Sequence, residues 1–199
     1  MTNKKDLLLA GSESETTKTI AQKFEQKGWM VTGIGMSNLA KREALGEEIG
    51  RLEKAGTHFN AALCIIEQQL STGFEETDIT QWESLLRAWL GGTSNLCKAI
   101  APHMVQRGCG SITILSPDYS NCKGDNVMNA AAAHTLHGFA KGFGAEVAGS
   151  GVRVNVLWPG LPYDHEAIAH MALYLAEVDE YTAAAVISLA AREEEARQS

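Results

Sequence analysis

Six short apolar runs, at 6–11, 29–35, 59–66, 111–115, 152–157 and 183–189, alternate along the chain with stretches of helix length. Unbroken runs such as Leu7-Leu8-Leu9-Ala10 mark strands buried on both faces rather than strands with one wet face. Helices are predicted over 12–27, 38–55, 80–106, 127–148 and 164–177. In the first, Ile20, Ala21 and Phe24 share one side and Gly28 ends it. In the second, Leu39, Leu45, Ile49 and Leu52 turn inward. Helical crossovers between doubly buried strands require a parallel sheet covered on both sides. The fold class expected is therefore α/β, a Rossmann-like doubly wound parallel sheet. No repeat or linker divides the 199 residues, so one domain over 1–199 is expected, with a frayed charged tail at 192–199.

Charge narrows the partners. Seventeen Lys and Arg stand against 24 Asp and Glu, for a net charge of −7. Nucleic-acid binding needs a cationic surface that displaces counterions, and docking on an anionic membrane needs basic clusters; neither is expected. The apolar run after Lys4-Lys5 is too short for a secretory signal, and no segment is long and apolar enough to span a bilayer. Cys64, Cys97, Cys109 and Cys122 lack metal-ligand spacing, so no metal site is expected. They read as reduced thiols of a cytoplasmic protein.

A family likeness lies in particular residues. Gly151-Val152-Arg153-Val154-Asn155-Val156-Leu157-Trp158-Pro159-Gly160 resembles the G-[IV]-R-V-N-x-[VL]-x-P-G segment of short-chain dehydrogenases/reductases. Trp82-Glu83, Leu90-Gly91-Gly92 and Pro102-His103-Met104 resemble that family's long interface helix. Gly110-Ser111-Ile112-Thr113-Ile114 resembles the strand before its catalytic serine, and 168–188 its closing helix and strand. The resemblance implies the family's fold in a shortened form. One helical stretch bridges Met36 to Phe59, where the family has a helix, an edge strand and a further helix. Pro159-Gly160 runs almost directly into the helix at Asp164, where the family has a substrate lid.

The family's functional positions carry other residues here. Its phosphate loop, T-G-x-x-x-G-x-G, lets the backbone approach a pyrophosphate at a helix N-terminus. The stretch here is Ala10-Gly11-Ser12-Glu13-Ser14-Glu15-Thr16-Thr17, so only Gly11 matches, and the later glycines fall on Glu15 and Thr17. A carboxylate beside a phosphate at ~4 Å repels it by an energy on the order of kcal/mol. Ser12-x-x-Glu15 also fits a capping box, which predicts that Glu15 fills the anion site of its own helix. The second strand ends in Gly33-Ile34-Gly35-Met36, without a side chain to select a ribose. The family's N-N-A-G falls on Cys64-Ile65-Ile66-Glu67. Of its Asn, Ser, Tyr and Lys tetrad, the Asn falls on Trp89, the Ser on Ser116 or Pro117, the Tyr on Asn129 and the Lys on Ala133. Without the tyrosine acid and its lysine, general acid–base chemistry of this kind has no proton donor. The resemblance thus implies no catalytic residue and no dinucleotide held by this chain.

Two other clusters invite attention. Tyr119 and Lys123 form a literal Y-x-x-x-K, but in a polar loop and at the wrong distance from Arg153. His134, His137 and Lys141 lie along one helix, a solvated or interface face. What remains family-like is the scaffold for association. In the family two long helices pair with those of a neighbour. Here one carries Leu86, Trp89, Leu90, Thr93, Cys97, Ile100 and Met104. The other carries Leu136, Phe139, Phe143 and Val147, with Gly138, Gly142 and Gly144 smoothing it. The expected partner is a homologous catalytic short-chain dehydrogenase subunit, in a heterodimer or heterotetramer, that carries the NAD(P). Two-subunit alcohol dehydrogenases of anaerobic aromatic degradation, acting on acyl-CoA substrates, are the family precedent. A ligand sensor built on the same fold is the alternative, and new chemistry from Ser116, Tyr119 and Lys123, or from His134 and His137, a third.

Overall fold

The computed structural model describes residues 4–67, 69–117, 127–160, 164–178 and 183–189. Its strands are β1 (Lys5–Gly11), β2 (Trp29–Gly35), β3 (Phe59–Ile65), β4 (Gly110–Leu115), β5 (Val152–Trp158) and β6 (Val186–Ser188). They form one parallel sheet in the order β2-β1-β3-β4-β5-β6. The helices are α1 (Glu15–Gln26), α2 (Met36–Leu39), α3 (Arg42–Lys54), α4 (Ile79–Leu86), α5 (Gly92–Arg107), α6 (Val127–Val147) and α7 (His165–Glu177). The doubly wound α/β architecture is therefore as expected, and the shortening is visible at one edge. Strand β2 ends the described sheet there, and α2 and α3 lead from it straight to β3.

Strand periodicity sorts the core into two halves. Leu7 and Leu9 of β1 and Leu63 of β3 face Ile20 and Phe24 of α1 and Ile168 and Ala172 of α7. Leu8, Ala10 and Cys64 face the other way, onto Ile49 of α3, Leu96 and Ile100 of α5 and Leu136 of α6. Both faces of the central strands are dry, which is why their sequences are unbroken apolar runs.

Three elements differ from expectation. The helix predicted over 38–55 breaks at Ala40–Lys41 into α2 and α3. The helix predicted over 80–106 is interrupted by a π-helical turn at Arg87–Gly91, with the fully buried Trp89 at its centre. The last strand covers three residues rather than 183–189. Ala184 just before it has a positive φ of 59°, a left-handed backbone that cannot continue a strand. Asn155 of the R-V-N segment is buried and accepts the Ala185 N–H at 3.1 Å, fastening this irregular approach.

An ion pair between a buried carboxylate and a partly exposed arginine ties the far ends of α3 and α5 to the start of β3. Arg107 Nη1 donates to Glu53 Oε2 at 2.7 Å and Arg107 Nη2 to the Phe59 carbonyl at 2.7 Å, while His58 Nδ1 lies 3.1 Å from the same carboxylate. Among the described residues no helix is long and apolar enough to cross a membrane.

Candidate functional site

In doubly wound sheets, ligands bind beyond the carboxyl ends of the strands, where successive crossovers diverge. Here that point lies between β1 and β3, because β1 leads to β2 on one side while β3 adds on the other. Four groups of residues meet there: the turn from β1 into α1, the segment after β3, Ser116 after β4, and the first turn of α6.

The turn into α1 is tight. Gly11 has a φ of 144°, and a β-carbon on it would lie 1.8 Å from the Ile65 carbonyl oxygen. The Ser12 N–H then donates to that same oxygen at 3.2 Å. This bond keeps Ser12 with the strands, so it does not cap the helix, and the expected Ser12–Glu15 capping box is not formed. Ser14 is the N-cap instead, extended, with its Oγ accepting from the Thr17 N–H at 3.2 Å. Glu15 becomes the first helical residue and is exposed. The carboxylate that does reach this helix end is Glu67, after β3: Ser14 Oγ donates to its Oε1 at 2.9 Å. Thr17 completes the turn by donating to the Ser12 carbonyl at 2.6 Å. A negative charge at the first turn is favoured by the helix dipole, by roughly 0.3–1 kcal/mol at an exposed site.

The four positions on which the family's tetrad is expected to fall are all buried. Trp89 and Ala133 are fully enclosed and belong to one apolar cluster with Ala132 and Leu136. Ser116 has no exposed surface; its N–H donates to the Leu157 carbonyl at 2.9 Å and its Oγ to the Pro117 carbonyl at 3.4 Å. Asn129 is 2 % exposed and holds the backbone of Leu70 with both amide groups. Its Oδ1 accepts the Leu70 N–H and its Nδ2 donates to the Leu70 carbonyl, each at 2.9 Å. Such a two-pronged bond fixes a segment and leaves no titrating proton at this position. Asn129→Ala is expected to lower the unfolding free energy by ~1–2 kcal/mol, because two partly buried backbone groups lose their partner. Urea unfolding of the variant measures this directly.

Tyr119 and Lys123 lie outside the described residues. His134 and His137 stand one above the other on α6, with ring centroids 5.1 Å apart. His137 is held below the usual imidazole pKa, first by burial and then by His134 and Lys141. Among the described residues no group of His, Cys, Asp and Glu could hold a metal. A concavity of about 720 Å³ opens at the opposite, amino ends of the strands, lined in part by Lys5, Trp29, Cys109, Arg153 and Glu177. There Lys5 and the Trp29 indole N–H both donate to Glu177, at 3.1 and 3.2 Å.

The Ser14–Glu67 bond and the Asn129–Leu70 clamp were not legible in the sequence. Ser14-x-x-Thr17 signals the N-cap of α1, but nothing local signals that Glu67 reaches it from 53 residues away. Nothing local signals the second, which joins residues 59 apart in the chain.

A model of the short chain dehydrogenase family matches residues 2–163. Among curated proteins, an uncharacterized oxidoreductase of Staphylococcus saprophyticus is 20% identical over 156 residues, covering 78% of this chain and 67% of that protein. The D-threitol dehydrogenase of Mycolicibacterium smegmatis is 33% identical over 156 residues, covering 77% of this chain and 57% of the enzyme. The chain thus matches about two thirds or less of the length of these relatives. Among solved structures, ElxO with NADP bound superposes with a TM-score of 0.83 at 18% identity, covering 94% of this chain and 97% of that one. A short-chain dehydrogenase/reductase family oxidoreductase from Brucella ovis, with a partially ordered NAD, gives 0.78 at 17% identity, covering 94% and 99%.

Proposed function

The chain belongs to the short-chain dehydrogenase family, and from that premise we propose that it is a non-catalytic subunit of a heteromeric NAD(P)-dependent short-chain alcohol dehydrogenase. The observation that carries the reading is Asn129. It takes the position of the family's proton-donating tyrosine and spends its amide on the Leu70 backbone. Supporting it, Ala133 replaces the lysine that tunes such a tyrosine and is sealed in the core. Glu15 and Thr17 replace two phosphate-loop glycines, and Glu67 puts a carboxylate on Ser14 at the helix end where a pyrophosphate would lie. A phosphate there meets like charge and an occupied N-cap.

The residues present therefore do not fit a dinucleotide, and no hydride step is derived through one. The chain's contribution is to complete and stabilise an assembly whose active subunit binds NAD(P) and supplies the tetrad. Contact through α5, α6, α7 and β6 is the arrangement proposed. The inactive subunit of 2-[hydroxy(phenyl)methyl]succinyl-CoA dehydrogenase, from anaerobic toluene degradation, is the family example this reading is nearest in kind.

The test is expression of this chain alone and together with the short-chain dehydrogenase encoded beside it. Native mass and NAD(H) titration are then measured on each product. The expected result is a stable mixed complex whose bound nucleotide equals the number of partner subunits, and no nucleotide on this chain alone. Saturable NAD(H) binding by this chain alone would refute the reading. A well-behaved chain that ignores the partner would move the assignment to a ligand sensor.

A further inference from the structure

The two edges of the sheet are built differently. β6 is three residues long and is approached through the left-handed Ala184, so it offers little backbone to a neighbour. β2 runs for seven residues, Trp29–Gly35, and pairs with β1 without a bulge. No other described strand lies on its outer side, so alternate backbone N–H and C=O groups face outward there. Edge strands are commonly guarded by a lysine, a proline or a bulge, and Trp-Met-Val-Thr-Gly-Ile-Gly has none of these. The strand also carries a projection and a recess on one face. Met30, Thr32 and Ile34 alternate onto the α3 side. Met30 is 50% exposed, whereas Ile34 is buried in the wall of a groove of about 280 Å³ that Thr32, Leu45, Glu48 and Leu52 also line.

We propose that β2 is a self-pairing edge, through which two copies of this chain join antiparallel about a two-fold axis at Thr32. A strand laid against itself by a two-fold axis perpendicular to the sheet is antiparallel, and each residue meets the one equally far beyond the axis. Thr32 is the midpoint of Trp29–Gly35, so this axis pairs the whole strand. Met30 then faces Ile34 of the second copy, on the same side of the sheet, and its exposed thioether enters the groove beside Ile34. The two-fold axis makes the same fit twice, and an unbranched methionine adapts readily to such a recess. On the other face Val31 covers Gly33 of the second copy, where a β-carbon would meet nothing within 4 Å. The contact is small, so a reversible dimer in the roughly micromolar range is expected rather than a permanent one. The pairing goes beyond the subunit reading and does not depend on it. β2 and β6 lie at opposite edges of the sheet, so the β6 edge stays open to a different partner.

Sedimentation equilibrium of the full chain, with no other protein present, reads the assembly. The expected result is a reversible doubling of mass whose dissociation constant rises at least about 100-fold in Thr32→Lys, because that change sets two ammonium groups face to face on the axis. Circular dichroism of dilute Thr32→Lys is expected to match that of the dilute unaltered chain. A cysteine scan fixes the register independently of charge. Cys64 and Cys97 are buried, so the background carries Cys109→Ser and Cys122→Ser. Thr32→Cys is expected to give a disulfide-linked dimer with oxidised glutathione, since directly opposite residues of antiparallel strands lie within disulfide reach. Met30→Cys and Ile34→Cys are each expected to stay unlinked alone and to link when mixed. A chain that remains monomeric up to about 100 μM overturns the proposal. So does a dimer that ignores Thr32→Lys, or one that leaves Thr32→Cys unlinked, since either puts the interface elsewhere. Should Thr32→Lys fail to fold, the cysteine variants decide. Nucleotide binding enters none of these measurements, so a failure here leaves the subunit reading standing.

Discussion

Gly11→Ala is expected to prevent the chain from reaching its native state, leaving no cooperative thermal transition and little soluble protein. The added β-carbon would lie 1.8 Å from the Ile65 carbonyl oxygen and 2.7 Å from the carbon behind it, so the clash is with backbone and cannot be relieved by rotating a side chain. The φ of 144° adds strain for any residue with a β-carbon. Relief would require moving the end of β1 away from β3, where Ser12 is bonded to Ile65 and the two strands pair. Native domains stand only ~5–15 kcal/mol above unfolding, so losing this junction removes most of the margin. Gly33→Ala is the matching control: its new β-carbon meets nothing within 4 Å, and a change within about 0.5 kcal/mol is expected. A cooperative melt for Gly11→Ala near that of the unaltered chain would show that the ends of β1 and β3 are not in contact. Gly11 is required by the sheet itself, whether or not a phosphate is ever bound.

Arg107→Ala is expected to cost about 3 kcal/mol at neutral pH, because it strands the Glu53 carboxylate in a nearly dry site. Glu53 has a side chain only 7% exposed, and Arg107 supplies its shortest bond. Burial alone would raise the Glu53 pKa. Hydrogen bonds from His58 and Arg107 outweigh it, together with the charges of Arg107 and His103, and hold the carboxyl below its usual value. The sign follows from linkage. A carboxyl depressed in the folded state binds fewer protons there than when unfolded. Its contribution is therefore complete above the unfolded value of about 4.3 and is lost as pH falls through the lower folded value. Urea midpoints measured from neutral pH down into this range are expected to show the variant's deficit shrinking as the carboxyl is protonated in both chains. A deficit that stays constant with pH would assign the cost to lost packing of the Arg107 stem instead.

Strand existence was legible because burial on two faces leaves a pattern that few other elements share; β1, β2, β3, β4 and β5 lie within a residue of their predicted bounds. What escaped was decided by contacts between distant segments. Ser12-x-x-Glu15 and Ser14-x-x-Thr17 both look like helix starts, and the bond from Ser12 to Ile65 selects the second. The π-turn at Arg87–Gly91 leaves the apolar spacing of its helix almost unchanged, so periodicity passes over it. At its centre lies Trp89, the largest fully buried side chain among the described residues. Glu67 gave no sign because a carboxylate at a strand end usually meets water. Only the neighbouring positions of β1 and β3 bring it to Ser14.

The strand order carries a consequence for how the protein is made. β1, β2 and β3 are synthesised first and fill three adjacent places; β4, β5 and β6 then add in turn along one side. No strand has to push between two that are already paired, and each new one finds its hydrogen-bonding neighbour already out of the ribosome. At translation speeds of ~5–20 residues per second, the growing sheet has seconds to dock each addition. Both ends of the Ser14–Glu67 contact lie well before α6 in the chain, so this bond can form before α6 has been made.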